Sequence, residues 1–303
     1  MIDFARRGTR TLFEGHLVTV TDITCGRDDL RCVLGERADR LRVVFTRTGA
    51  VRSHAMRYDA SLLLGDPTHA LVLDAAHGRA LCHRSKEVHT CTVLAFQGET
   101  VATALPGRES AVMSGGHHRD GSPLLVPGVL MRYHRLRNAL LHPQDGGAMP
   151  AAEIEAEAIA LLRQLTSDRS ISSTLVRQRP ALRSAAEQRR RELAETAKAV
   201  IAADPTRPHR LDALAHSLGV SPSHLAHVFR DEVGMPLHRY HVQLRMALAL
   251  NELGASGRNL SRLALDLGFA NHSHFTSAFR QWFGFPPSRA HVRLRRLCVP
   301  TSL

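Results

Sequence analysis

The chain has 303 residues, which is enough for two domains of ordinary size. Hydrophobic residues make up 44% of the sequence, so a sizeable core can form. The formal net charge of +12 favours a polyanionic partner, with nucleic acid first and an anionic membrane second. Residues 181–303 hold 17 Lys and Arg against 9 Asp and Glu, a net of +8, so most of the excess lies near the C-terminus.

Several classes of protein have no support in this sequence. No apolar run reaches the roughly 18 residues that a membrane-spanning helix needs, and the N-terminus has no apolar stretch of signal-peptide length. We therefore expect a cytoplasmic protein with no membrane partner. The five cysteines form no CxxC pair and are expected to be mostly free thiols. No dinucleotide, P-loop or hydrolase motif occurs, so we expect neither an enzyme nor a cofactor.

The region from about Leu12 to Leu105 is predicted to be rich in β-strands. Its short apolar runs are separated by Gly, Asp and Pro, and several of them alternate with polar residues. Such spacing is typical of an antiparallel sandwich or barrel. The predicted strands are His16–Val20, Leu41–Phe45, Ser61–Leu64, Ala70–Leu73 and Cys91–Phe96.

Helical periodicity begins after a predicted loop at Gly107–Ser122. A helix is expected around Val129–Leu141, followed by a second loop at His142–Pro150. The segment Glu153–Leu165 is predicted to be an amphipathic helix. Its expected apolar face consists of Ile154, Ala158, Leu161, Leu162 and Leu165.

The polar stretch Ser167–Pro180 is a plausible hinge between two domains. Everything from Ala181 onward is predicted to be mostly helical. The predicted fold class is therefore α+β with two domains, a β-rich domain over residues 1–175 with trailing helices and an all-α domain over residues 181–303.

One internal repeat decides the functional prediction. Leu211–Gly234 and Leu260–Gly284 share a Leu-Ala pair, a Leu-Gly pair, a Phe-Arg pair and a closing Gly. In each copy a short helix ends at a glycine, as the tight turn of a helix-turn-helix requires. The predicted units cover about residues 211–233 and 260–283, and their reference glycines are 49 residues apart, at Gly219 and Gly268.

The second helix of each copy has the pattern of a recognition helix. Ser221 and Asn271 are good N-caps for these helices, and Pro222 suits a first helical position. Apolar residues four positions apart are expected to face inward, while the other face stays short and polar. Two ordinary helical hairpins would explain one such pattern, but two copies in a strongly basic segment favour DNA binding.

The segment between the copies, Pro236–Leu253, is predicted to be a linker helix. At about 1.5 Å per residue it would be roughly 27 Å long, which is close to one turn of DNA at about 34 Å. Both recognition helices could then enter successive major grooves, so one chain would contact an asymmetric site. DNA bending is expected where the spacing falls short of a full turn.

These features resemble the AraC/XylS family of bacterial transcription regulators over roughly Ala186–Leu297. The second unit and the linker segment Arg245–Leu250 match the family most closely. The matching positions of that unit are Leu263, Ala264, Gly268, Phe269, Phe275, Phe279, Arg280, Phe283, Gly284, Pro287 and Arg289. The resemblance implies binding to double-stranded promoter DNA and, usually, activation through RNA polymerase.

The resemblance also assigns roles to individual residues. Arg230 and Arg280 are expected to contact phosphates, which gives affinity without sequence information. His227 and Ser277 stand where many members have an arginine, so base recognition here is expected to depend more on other residues or on DNA shape. The predicted DNA-binding residues are Ser221, Ser223, His224, Ala226, His227 and Arg230 in the first unit, and Asn271, His272, Ser273, Thr276, Ser277 and Arg280 in the second.

The first 175 or so residues resemble, more weakly, the cupin-like sensor domain that many family members carry. The resemblance lies in Asp66–Leu73 and in the predicted strand Cys91–Phe96. It implies that this region binds an unknown small-molecule effector or mediates formation of a homodimer.

Two alternative functions involve chemistry in the N-terminal region. Leu81–Arg84 resembles the core of DNA alkyltransferases and would make Cys82 an alkyl acceptor in a DNA-damage sensor. A cupin-type metalloenzyme fused to a DNA-binding domain would use the local His and Cys residues. Those residues are His69, His77, Cys82, His83, His89 and Cys91. No metal-ligand pattern unites them, so we expect no metal site, and Cys25, Cys82 and Cys91 remain open as redox sensors.

Overall fold

The computed structural model describes residues 8–25, 40–54, 63–73, 80–82, 89–98, 124–145, 148–166, 185–254 and 258–295. An antiparallel β region comes first along the chain, and the described residues from 124 onward are mainly helical. The predicted loop at Gly107–Ser122 and the predicted hinge at Ser167–Pro180 lie outside the described residues.

Two antiparallel sheets form the N-terminal region. The larger has the order β1-β2-β8-β3-β6, and the smaller has the order β5-β4-β7. The strands are β1 (Gly8–Glu14), β2 (Val18–Cys25), β3 (Leu41–Thr48), β4 (Val51–His54), β5 (Leu63–Gly65), β6 (Leu71–Leu73), β7 (Ala80–Cys82) and β8 (His89–Phe96). The prediction that this region is rich in short β-strands is confirmed. Strands β1, β4 and β7 were missed by the sequence prediction.

The larger sheet is covered on both faces. Residues of alternate positions, such as Val43 and Phe45, pack into a large core with the helices that follow. The opposite face, which includes Val44 and Cys91, forms a smaller apolar cluster. Gly65 of β5 lies so close to this second face that an added Cβ would be 2.7 Å from Leu71 Cγ. Burial of both faces explains why β3 is apolar at three consecutive positions, Val43–Phe45, rather than alternating.

Helices α1 (Pro127–Leu141) and α2 (Ala151–Thr166) cover one face of the larger sheet. The predicted apolar face of α2 is confirmed, since all five of its predicted residues are buried. In α1, the ring of Tyr133 stacks on Phe45 with 4.2 Å between centroids. Arg137 donates to Asp22 Oδ2 at 2.7 Å, which joins α1 to β2 by a charged pair.

The C-terminal helices are α3 (Ala185–Ala203), α4 (Leu211–Ser217), α5 (Pro222–Val233), α6 (Leu237–Leu253), α7 (Leu260–Asp266), α8 (His272–Phe283) and α9 (Ala290–Arg295). Short 3-10 turns occur at Pro143–Asp145 and Pro287–Arg289. Helix α6 joins two helix-turn-helix units, α4–α5 and α7–α8, as predicted. No helix in the described part of the chain is long and apolar enough to cross a membrane.

Helix α6 is buried around most of its circumference. Its N-terminal half, with Tyr240 and Leu244, belongs to the core of the first helix-turn-helix unit. Its C-terminal half, with Met246 and Leu250, belongs to a core shared with the second unit, the larger sheet and α1. Because most of its side chains are covered by neighbouring elements, α6 fixes where both units lie against the N-terminal region.

A buried charged cluster around Asp66 joins the two regions. Asp66 follows β5 and is fully buried. Its carboxylate accepts a hydrogen bond from the Tyr240 hydroxyl of α6 at 3.0 Å and lies 3.6 Å from the Lys198 ammonium of α3. Glu195 of α3 accepts a hydrogen bond from the Leu64 amide at 3.1 Å. The first helix of the C-terminal region is therefore tied to the end of a strand by charge as well as by packing.

The ionised form of Asp66 is stabilised in this cluster. Burial is the largest single influence and raises the pKa of this carboxyl group, but the attraction of His69 and Lys198 together with hydrogen bonds outweighs it. Hydrogen bonds from His69 and Thr68 act in the same direction, and the pKa of Asp66 lies well below its ordinary value.

Lys198→Met should lower the free energy of unfolding by about 3 kcal/mol, because Asp66 would keep a buried charge without its cation. The double variant Asp66→Asn, Lys198→Met should lose less, since neither charge remains. Urea unfolding of the three proteins measures both values. An equal loss in the single and double variants would contradict the ion pair.

The depressed pKa of Asp66 also predicts how stability depends on pH. A carboxyl group whose pKa is lower when folded contributes its full stability above its unfolded pKa, about 4, and loses it as pH falls. Between pH 5 and pH 3 the unfolding free energy of the wild-type protein should therefore fall more steeply than that of Asp66→Asn. Parallel pH curves would show that Asp66 is not the responsible group.

Candidate nucleic-acid interface

The first helix-turn-helix unit is formed by α4 and α5. Leu214 of α4 and Phe229 of α5 are buried in one apolar core, to which α3 also contributes. Gly219 has φ of +68°, in the left-handed region that the turn needs. The Ser221 hydroxyl accepts a hydrogen bond from the His224 amide at 3.2 Å, which confirms the predicted N-cap of α5.

The second unit, formed by α7 and α8, is built in the same way. Leu263 and Phe279 are buried at the equivalent positions, and Gly268 has φ of +77°. The Asn271 side chain accepts from the His274 amide at 2.8 Å, so the second predicted N-cap is also present. Each recognition helix ends at a glycine in the left-handed conformation, with φ of +80° at Gly234 and +76° at Gly284.

The exposure of side chains repeats along with the fold. Each residue of the segment 221–240 has nearly the same degree of burial as the residue 50 positions later, in the segment 271–290. The reference glycines are 49 residues apart, so the first turn is one residue shorter than the second. The two units therefore present the same face of α5 and of α8 to solvent.

The predicted DNA-binding residues lie on those exposed faces. In α5 and its cap, Ser221, Ser223, His224, His227 and Arg230 are exposed, and Ala226 is half-buried. In α8 and its cap, Asn271, His272, Ser273, Ser277 and Arg280 are exposed, and Thr276 is half-buried. Since Ser221 and Asn271 are engaged in capping, their first role is to begin the helices rather than to contact bases.

Acidic residues on α5 are neutralised by a basic residue of α3. Arg190 donates to Asp231 at 2.7 Å and lies 3.5 Å from Glu232. Asp231 also lies 3.5 Å from His227, whose side chain is 76% exposed. Arg190 therefore offsets negative charge next to the predicted DNA-binding face.

Arg245 of α6 connects the segment before the first helix-turn-helix unit with the turn of the second unit. Its Nε donates to Pro205 O at 2.8 Å, in the segment between α3 and α4. Its Nη1 donates to Gly268 O at 2.8 Å, in the turn of the second unit. The sequence comparison placed Arg245 in the linker helix but gave no sign of these contacts, because hydrogen bonds to backbone carbonyls leave no residue pattern.

Aromatic side chains fill the core of the second unit. Phe275 and Phe279 are fully buried, and Phe279 lies within 5.7 Å of Phe285, centroid to centroid. Trp282 is half-buried, and the Arg239 guanidinium lies 5.7 Å from its ring centre. Trp282 therefore packs against the core of this unit.

The His and Cys residues of the N-terminal region do not converge in the described part of the chain. His69 is 3.3 Å from Asp66 within the buried cluster, and Cys25 and Cys91 are buried thiols of the sheet. His77 and His83 lie outside the described residues, and Cys82 is the last residue of β7. Among the described residues, no group of three or more possible ligands could hold a metal ion.

Comparison with known families agrees with the architecture of the C-terminal region. Residues 214–292, which span most of both units and the linker helix, match the family described as a helix-turn-helix domain. The comparison with curated proteins gives no match.

Several solved structures are similar to part or most of this chain. An AraC-type transcriptional regulator from Chromobacterium violaceum is 23% identical, covers 38% of this chain and all of its own, and has a TM-score of 0.34. A transcriptional dual regulator from Escherichia coli K-12 is 25% identical over 34% of this chain and 91% of its own, with a TM-score of 0.31. ToxT from Vibrio cholerae O395 is 11% identical, covers 93% of this chain and all of its own, and has a TM-score of 0.36.

A tandem helix-turn-helix with a connecting helix and a matching family assignment defines a class of protein. Residues 214–292 of this chain belong to this class as a helix-turn-helix domain. The resemblance to the AraC/XylS family that the sequence predicted covers the same part of the chain.

The two turn glycines should respond differently to substitution. At Gly268 a Cβ would lie 2.0 Å from Thr206 O, whereas at Gly219 it would meet no described atom within 4 Å. Both positions have positive φ, so Gly219→Ala should lower the free energy of unfolding by about 1–2 kcal/mol. Gly268→Ala should lower it by roughly 3 kcal/mol or more, because backbone must also move. Chemical denaturation of both variants measures the difference, and equal losses would refute the close approach.

Proposed function

We propose that this protein binds promoter DNA by placing α5 and α8 in major grooves and thereby regulates transcription in the bacterial cytoplasm. The observation that supports the proposal is the paired, equally exposed polar face of the two helices, each supported by an apolar core. A recognition helix needs such a face, because base edges in the major groove are contacted by short polar side chains and by arginine.

We assign base contacts to the exposed residues at the start and middle of the two helices. These residues are Ser223, His224, Ala226 and His227 in α5, and His272, Ser273, Thr276 and Ser277 in α8. Arg230 and Arg280 lie further along the exposed faces and suit contacts to phosphates. Imidazole, hydroxyl and methyl groups contact bases less strongly than a bidentate arginine does, so we expect DNA shape to add to specificity.

The length of α6 suits two successive grooves. Its 17 residues correspond to about 25 Å at 1.5 Å per residue, somewhat short of the roughly 34 Å turn of DNA. One chain would therefore span two adjacent grooves with some bending of the DNA. The two units differ in sequence, so the site contacted by one chain need not be palindromic, even if the protein forms a homodimer.

We propose that the β-rich N-terminal region both binds an effector and mediates dimerisation. The Asp66 cluster and the core shared through α6 support this assignment, because a change in the sheets would move α3 and α6. Those helices hold the first unit, so an effector could alter how α5 is presented to DNA. Activation through RNA polymerase follows the family resemblance.

The DNA sequences that the protein binds can be found with the purified full-length chain. Incubation with fragmented genomic DNA and recovery of bound fragments should enrich a few promoter sequences over bulk DNA. A footprint on an enriched fragment should show two protected segments about one helical turn apart. Recovery of fragments without sequence preference would contradict specific binding.

The two arginines on the exposed faces should govern the dependence of binding on salt. Arg230→Ala with Arg280→Ala should weaken binding and make the slope of log K against log salt shallower by about 1.8, since each lost phosphate contact removes about 0.9. Arg132→Ala is the control, because Arg132 pairs with Glu157 between α1 and α2. If the double variant and the control give the same slope, the phosphate assignment is wrong.

Activation can be separated from binding by transcription in vitro. With bacterial RNA polymerase and an enriched promoter fragment, adding the protein should increase the amount of transcript. A decrease would identify a repressor, and an unchanged amount with a clear footprint would indicate that the effector is required.

A further inference from the structure

Arg245 joins the segment that leads into the first helix-turn-helix unit to the turn of the second unit. Its guanidinium donates to Pro205 O at 2.8 Å, to Thr206 O at 3.0 Å and to Arg207 O at 3.3 Å. These three carbonyls belong to the segment that leads into α4. The fourth hydrogen bond, to Gly268 O at 2.8 Å, reaches the turn between α7 and α8.

The backbone of the segment before α4 and that of the second turn also meet directly at this point. A Cβ at Gly268 would lie 2.0 Å from Thr206 O and 2.9 Å from Arg245 Nη2, so only glycine permits the approach. The equivalent Gly219 of the first unit has no described atom within 4 Å of such a Cβ. The contact is therefore specific to the second turn and does not follow from the helix-turn-helix motif itself.

Neighbouring side chains hold the guanidinium in place. It lies 5.5 Å from the ring centre of Phe269, the residue after the glycine. His241, one turn before Arg245 on α6, is 2.7 Å from Pro205 O through its Nε2. Burial lowers the pKa of His241 to about 4, so the ring is neutral at pH 7 and donates to that carbonyl without adding charge.

We propose that Arg245 is a positioning residue that fixes the distance and orientation between the two recognition helices. The inference rests on the proposed binding of DNA by both units. Arginine suits this role because its planar fork presents five donors in fixed directions, whereas a lysine ammonium is a single point. Since four carbonyls occupy these donors, Arg245 is not available to contact DNA phosphates.

Fixed spacing matters because each unit alone contacts only a short DNA segment. When one unit is bound, a rigid connection gives the other a high effective concentration at its own segment. A loosened connection lowers this effective concentration and leaves each unit's own contacts unchanged. Loss of Arg245 should therefore weaken binding only where both DNA segments are present.

The first test measures the spacing without DNA. Spin labels on noncanonical amino acids replace Asp212 of α4 and Leu265 of α7, both exposed, and pulsed electron resonance gives the distribution of distances. Arg245→Lys keeps the charge but cannot reach carbonyls on both sides, so the distribution should widen or shift. Arg132→Lys is the matched control and should leave it unchanged. An unchanged distribution in Arg245→Lys overturns the proposal.

The second test uses the fragment most enriched by the wild-type protein, together with versions in which either protected segment is scrambled. On the intact fragment Arg245→Lys should bind about tenfold or more weakly than the wild type. On either scrambled fragment the two proteins should bind within about twofold of each other. Equal losses on all fragments would show a merely structural role and overturn the proposal.

Folding and the wider function are checked separately. Circular dichroism and the thermal midpoint show whether Arg245→Lys is folded, and Arg245→Gln, which keeps amide donors on one side only, serves as a second variant with the same expected results. If the wild-type protein enriches no specific fragment, the proposed DNA recognition fails. The distance distribution still decides whether Arg245 fixes the two units.

Discussion

Burial of α6 on nearly all sides is the constraint on which the C-terminal architecture depends. A helix between two DNA-binding units could be a solvated spacer, with an apolar stripe on one side only. Here Tyr240 and Leu244 complete the core of the first unit, while Met246 and Leu250 join the second unit to the sheet and α1. No unit can move relative to the others without exposing part of α6.

Polar interactions make this packing specific. Apolar contacts tolerate sliding, whereas hydrogen bonds and ion pairs require defined distances. Arg245 bonds to carbonyls of the segment before α4 and of the second turn, and Asp66 bonds to Tyr240 while lying 3.6 Å from Lys198. A buried carboxylate without such partners would be costly, so α3 and α6 are held at one position against the sheets. The same contacts give the N-terminal region a physical route to the recognition helices.

The tandem repeat could be predicted because local physics determines it. Turn glycines, N-caps and apolar residues four positions apart each act within a few residues, and all of them appear in the structure where the sequence placed them. The exposed faces of α5 and α8 follow from the same periodicity. In the N-terminal region the prediction was less complete, since strands such as β4 and β7 are short and lack a clear alternating pattern.

The sequence by itself determined the two helix-turn-helix units, the linker helix, the caps at Ser221 and Asn271, and the family resemblance. Only the tertiary structure decided how these parts are held together. The contacts of Asp66 with Lys198 and Tyr240 join residues more than 130 positions apart, and those of Arg245 reach backbone carbonyls of any residue type. Such interactions depend on where the chain returns in space, which periodicity and spacing along the sequence do not encode.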